Sequence, residues 1–155
     1  MFEKDGKKVF AYEVDGRGGS VIFDDANLPS LVSLAYLGFV NLKDEVYSNT
    51  RAFMLSNKNP FFYENQQYKG IGSSHTPIHT IWPLALITQI LTSNNDDEIK
   101  RCLKGLLDQA NDNLIHESFS IDNPRIITRT WFAWANSLFG EAIIKLATER
   151  PDLLK

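Results

Sequence analysis

A single cysteine, Cys102, is all that the 155 residues contain, which excludes an intrachain disulfide framework and any cysteine-based zinc pattern. Its neighbours Ile99, Leu103 and Leu106 recur at helical spacing. Cys102 therefore reads as a small buried hydrophobe on an apolar helix face, not as a reactive thiol. Positive charge is also scarce, since the net charge is −3. The one local lysine run (Lys4, Lys7, Lys8) is interleaved with Glu3 and Asp5, as on a solvated face. These features argue against a nucleic-acid partner. No glycine-rich phosphate loop is present either, because "DGRGG" at 15–19 is not followed by a helix. The N-terminal MFEKDGKK lacks the apolar core of a signal peptide. No apolar run approaches the roughly 20 residues a membrane span needs. The expectation is a soluble, cytoplasmic chain with no membrane partner.

What is present is a core-forming composition, 43% hydrophobic and 23% charged, enough for a single region over 1–155. "KVFAYEV" and "SVIF" alternate around the Gly-rich turn and predict a short β-hairpin. Five helices are expected after it. The first runs from about Pro29 to Gly38, and the second is "DEVYSNTRAFMLS". The third is "TIWPLALITQILT", with Thr80 as its cap. The fourth is "DDEIKRCLKGLLDQA", and the fifth runs from near Thr128 to Glu149. The first and third are apolar almost all round, as in sandwiched helices. The second and fourth carry one stripe each, Val46–Thr50–Phe53 and Ile99–Leu103–Leu106, as in outer ones. Antiparallel pairing across the short connections brings the three long segments to one end of the bundle. Long segments in compact domains are commonly functional.

The first long segment carries adjacent carboxyls, Asp24 and Asp25. One can cap a helix; a pair can also bind sugar hydroxyls or a metal, or do acid–base work. The second surrounds Glu64, His75 and His79 with Phe61, Phe62, Tyr63, Tyr68 and Trp82. Rings among hydrogen-bonding groups suit a sugar, whose C–H faces pack on aromatics while its hydroxyls need partners. The His-Thr-Pro-Ile-His spacing lies on a proline-containing loop, where the register of a metal-binding helix does not apply. The third segment sets Glu117 between Ile115 and Phe119. Burial would raise its pKa and donors such as His116 or Arg129 would lower it; placed so, a carboxylate can activate water.

Taken together, "YEVDG", "DDANLPSL", "LSNKNPFFYE", "GIGSSHTP", "HESF" and "TRTWFAWANSLF" resemble, in order, the C-terminal part of the exo-α-1,6-mannosidases of glycoside hydrolase family 125. That resemblance implies an all-α fold of antiparallel helical hairpins, forming part of an (α/α)6 barrel. It also implies hydrolysis of terminal α-1,6-linked mannose with inversion, without metal or other cofactor. The Glu of "HESF" matches the family's general base, which here is Glu117. Asp24, Asp25, His75, Thr76, His116 and Arg129 fall in matched blocks as sugar contacts or their supports. The family's general acid belongs to a block with no counterpart here. The implied partners are a mannose-containing glycan and, for the rest of the barrel wall, further polypeptide or self-association. A non-catalytic carbohydrate-binding or interaction module derived from such an enzyme is the alternative.

Overall fold

A computed structural model describes residues 1–155. The chain opens with two antiparallel hairpins, β1 (Phe2–Lys4) with β2 (Lys7–Val9) and β3 (Glu13–Val14) with β4 (Ser20–Val21). The expected hairpin is the second of these. Its turn is closed by Asp15 Oδ1, which accepts from the Arg17 and Gly19 amides, each at 2.8 Å. "KVFAYEV" does not form one strand, because Phe10 donates its N–H to Thr50 Oγ1 at 2.8 Å and leaves the ladder.

The first expected helix is absent. Residues 29–38 form only a 3-10 turn at Val32–Leu34. Side chains take the donors a helix would use: Ser33 Oγ accepts from the Ser30 amide and Asp24 Oδ2 from the Val32 amide. Such local bonds compete with helix formation. Helix α1 (Glu45–Met54) follows, capped by the Asp44 side chain accepting from the Tyr47 amide. Its buried line is Tyr47, Thr50 and Met54, with Val46 and Phe53 half-buried, one position away from the stripe read from the sequence. The Tyr47 hydroxyl donates to Val32 O at 2.7 Å, which satisfies the buried phenol.

Strands β5 (Phe62–Glu64) and β6 (Lys69–Ile71) form a third hairpin, turned by Asn65 Oδ1 accepting from the Gln67 and Tyr68 amides. Then β7 (Thr80–Ile81) precedes α2 (Pro83–Leu91), every residue of which is buried. Helix α3 (Asp96–Gln109) starts at an Asn95 side-chain cap and buries one stripe. Strands β8 (Ser118–Ser120) and β9 (Ile127–Thr128) complete a three-stranded sheet in the order β7–β8–β9. Helix α4 (Ala133–Glu149) ends the chain before a 3-10 turn at Pro151–Leu154. Helix α2 packs against both α3 and α4, as the sandwiched position of an all-round apolar helix requires.

The fold is therefore mixed α/β, not all-α: 37% of residues are helical, in four α-helices and two short 3-10 segments, and 15% are in strands, in four small antiparallel sheets. Two segments account for much of the difference. The 29–38 helix is replaced by side-chain-capped turns. The fifth helix begins at Ala133 because Ile127–Thr128 pairs with Phe119 and Ser118, and Arg129 then turns the backbone to a φ of +44°. Thr80, expected as a cap, is paired with Ser120. Cys102 is fully buried, and burial pushes its thiol up to about 12. No helix is long and apolar enough to cross a membrane.

Candidate active site

The sheet β7–β8–β9 joins the second and third long segments, and Glu117 stands immediately before β8. The segment leading to it is not a solvated loop. Ile115, Phe119 and Ile121 are buried, and Asn113 turns the chain with a φ of +65°. The His116 amide donates to Gln109 Oε1 at 3.3 Å, and its ring lies between Thr130 O (3.0 Å from Nδ1) and Asp112 Oδ1 (3.2 Å from Nε2). At 1% exposure, His116 spends both ring nitrogens inside the chain.

The Glu117 side chain is 12% exposed and held from two sides. Thr128 Oγ1 donates to its Oε2 at 3.1 Å, and Arg129 Nε lies 3.4 Å from its Oε1. Since the Thr128 proton goes to the carboxylate, Ser118 Oγ donates to Thr128 Oγ1 at 2.7 Å. The β8–β9 register, which sets Ser118 opposite Thr128, builds this relay. Arg129 is largely exposed, and its guanidinium lies 5.5 Å from the centre of the Phe132 ring. That ring meets Trp82 edge-on at 6.1 Å, and Trp82 lies 6.3 Å from His75. A row of rings thus runs from the Glu117 carboxylate to the second segment, flanked by the exposed Trp131 and Trp134.

Thr76 fixes that second segment. Its hydroxyl accepts from Trp82 Nε1 at 2.8 Å and donates to Thr80 Oγ1, which in turn donates to Pro77 O. The paired acids of the first segment divide the work between them. Asp24 is fully buried; its Oδ1 accepts from the Ala26 amide and its Oδ2 from the Val32 amide. Burial outweighs those two donors and, with the neighbouring Asp25 charge adding to it, raises its carboxyl to about 6. Asp25 Oδ2 accepts from Asn27 Nδ2 at 3.0 Å. Asn27 Nδ2 also reaches Ser73 Oγ at 3.4 Å, and Ser73 Oγ accepts the His75 amide. Tyr12 donates to Asp25 Oδ1 at 3.5 Å. Burial, then the Asp25 and Asp24 charges, push its phenol up.

The structure therefore links Asp25 to His75, and His75 to Arg129 and Glu117 through Trp82 and Phe132. No hydrogen bond joins either aspartate to Glu117. Asp24, Thr76 and His116 have their polar atoms engaged within the chain. No three His, Cys, Asp or Glu side chains are grouped to hold a metal ion. Thr128, Asn27 and Ser73 were not read as site residues from the sequence. For Thr128 a signal existed. Asn123-Pro124 between Ser118-Phe119-Ser120 and Ile126-Ile127-Thr128 has the composition of a turn with proline at its second position.

The family described as metal-independent alpha-mannosidase (GH125) matches residues 1–144. A Schizosaccharomyces pombe protein, the meiotically up-regulated gene 157 protein, is 49% identical over 150 residues, 96% of this chain and 30% of its own length. Among solved structures, a Streptococcus pneumoniae metal-independent alpha-mannosidase superposes with a TM-score of 0.90 at 42% identity. That protein is described in a non-productive substrate complex with alpha-1,6-mannobiose. The match covers 97% of this chain and 35% of the other. The chain spans about a third of the length of these relatives.

Proposed function

The chain belongs to the metal-independent α-mannosidases of glycoside hydrolase family 125, and on that premise we propose that it supplies the general-base half of an inverting exo-α-1,6-mannosidase site. Glu117 is the base. The observation carrying this reading is the setting of its carboxylate, nearly buried and fixed by Thr128 and Arg129 beside a row of aromatic rings.

In an inverting hydrolysis one carboxylate takes a proton from water as that water attacks the anomeric carbon. A second carboxyl, about 6.5–9.5 Å away, protonates the departing oxygen on the other face. Glu117 suits the first role, because Thr128 and Arg129 hold its two oxygens while the carboxylate keeps some contact with solvent. Neither aspartate suits the second. Asp24 is consumed by two backbone amides, and Asp25 is tied to Asn27 and Tyr12. The block that carries the family's general acid has no counterpart here, so on this reading the acid comes from further polypeptide and the chain alone is inactive. Asp25, His75 and Arg129 are assigned to mannose hydroxyls; Asp24, Thr76 and His116 hold the loops that carry them. The α-1,6 linkage rests on the mannobiose bound by the pneumococcal relative.

Assayed alone, the chain should leave α-1,6-mannobiose intact. Fused to the portion of the pneumococcal relative that it does not cover, it should release β-mannose first, as seen by proton NMR, at a rate unchanged by a chelator. Glu117→Gln should lower that rate by about 100- to 10,000-fold. Undiminished turnover in the variant sinks the assignment. The engagement of both Asp24 and Asp25 within the chain also favours a non-catalytic reading. A fused chain that binds mannobiose without cleaving it would support that one.

A further inference from the structure

At the C-terminal end of α2, Gln89 is 2% exposed. Its Oε1 accepts from Arg101 Nη2 at 3.4 Å and from Cys102 Sγ at 3.6 Å, but its Nε2 is buried with no partner. A buried N–H without an acceptor is costly. Gln89 lines a cleft of about 460 Å³, within the size range of small-ligand sites. Seven residues separate Gln89 from Trp82, roughly 10 Å along the helix, so the cleft and the Glu117 site lie at opposite ends of α2.

We propose that this cleft is a second binding site, for a neutral, hydroxyl-rich ligand of the sugar class. The charges decide against an anion. Arg51 Nη2, at 2.9 Å, and Arg101 Nη2, at 3.8 Å, share Glu98 Oε1, Lys69 Nζ is 3.7 Å from Glu64 Oε1, and Asp97 stands on the rim, so three cations face three carboxylates and no net positive charge is left for an anion. What remains unmatched is of both kinds. The Gln89 Nε2 donor lacks an acceptor, and the exposed Asp97 carboxylate on the cleft rim has no ion pair. Hydroxyls both donate and accept, so a polyol that draws the Gln89 amide, buried in the unliganded chain, out into the cleft can meet both groups. The half-buried Phe62 on the same wall offers a ring for the C–H face of a sugar. This inference is independent of the role given to Glu117.

The test is a titration of the isotopically labelled chain with methyl α-mannoside to about 50 mM, following the Gln89 and Asn95 side-chain amide resonances by NMR. Saturable shifts of both are expected, and they should persist in Glu117→Gln, which separates this site from the other. Asp97→Ala, at the surface, should weaken binding about fivefold. Gln89→Met, of similar volume but without a donor, should abolish it. A Gln89 amide that does not shift saturably overturns the proposal, as does binding unchanged in Asp97→Ala. Saturation by sodium acetate or phosphate where the sugar gives none would overturn it as well.

Discussion

Asn136 brackets the backbone of Ile115, accepting its N–H on Oδ1 at 3.0 Å and donating through Nδ2 to its carbonyl oxygen at 2.7 Å. The same Nδ2 reaches Phe132 O at 2.8 Å. Asn136 thus explains a polar residue beside the apolar stripe of α4. It docks the chain two residues before Glu117 onto the helix whose N-cap is Phe132. Glu117 and the ring under Arg129 are positioned by one side chain.

Replacing Asn136 by Leu should therefore cost more than the volume change implies. Both polar groups of Ile115, itself 3% exposed, lose their side-chain partner, and each stranded group costs about 1–3 kcal/mol. A loss of about 2–4 kcal/mol in urea unfolding is expected. A loss below about 0.5 kcal/mol, typical of an ordinary surface change, would mean the bracket does not hold the segment.

Thr128→Val removes the donor to Glu117 Oε2 and strands the Ser118 hydroxyl, at almost constant volume. Hydrogen bonds to charged groups contribute about 1.5–3 kcal/mol. Turnover of α-1,6-mannobiose by the fused enzyme described above should fall roughly tenfold or more, with little change in KM. Thr128→Ser keeps the donor and should retain most of the rate. Equal losses in the two variants would assign Thr128 to packing instead.

Much of this arrangement was legible in the residues. The all-round apolar run of α2 and the single stripe of α3 were readable because nine and fourteen residues give periodicity enough to count. The family blocks singled out Glu117, the base in the reading proposed above. The strands were less legible. Two- and three-residue strands such as β7 and β9 carry no alternation, and their pairing is set by tertiary contacts. The 29–38 segment misled for another reason. Its apolar run has helical spacing, but Asp24, Ser30 and Ser33 satisfy its backbone from the side, and no single-residue propensity reports that. The buried course of Ile115 and Phe119 was legible as an oddity, while its anchor, Asn136, lay twenty-one residues away.

Asp24 should make stability depend on pH in an uncommon direction for a carboxylate. Its carboxyl is raised from 3.8 to about 6 by burial. The unfolded chain therefore releases this proton first as pH rises, and the folded form is favoured most below about pH 4. This contribution should decline through the window from about 4 to 6 and then level off, amounting to about 3 kcal/mol at most. Asp24→Asn, which cannot ionise, should lack that decline. The check is the difference in unfolding free energy between wild type and variant at pH 4 and pH 7. Parallel profiles would show that the carboxyl does not titrate in this window.

Two glycines should respond to alanine with opposite signs. Gly72 is buried where β6 ends, donating its N–H to Phe61 O at 2.8 Å. A Cβ there would collide with the backbone carbonyl of Thr80 and stand 2.8 Å from Tyr63 Cε2. The carbonyl belongs to β7, itself paired with β8, so neither neighbour can withdraw without disturbing the sheet beside Glu117. Overpacking of this kind costs about 1–3 kcal/mol, and Gly72→Ala should lower the Tm by roughly 2–10 °C. Gly140 lies within α4 with no atom within 4 Å of an added Cβ. There alanine only restricts the unfolded chain and improves helix propensity, so Gly140→Ala should stabilise by about 0.5–1 kcal/mol. Thermal unfolding of the two variants decides the matter: losses of similar size at both positions would refute the close approach at Gly72 as the cause.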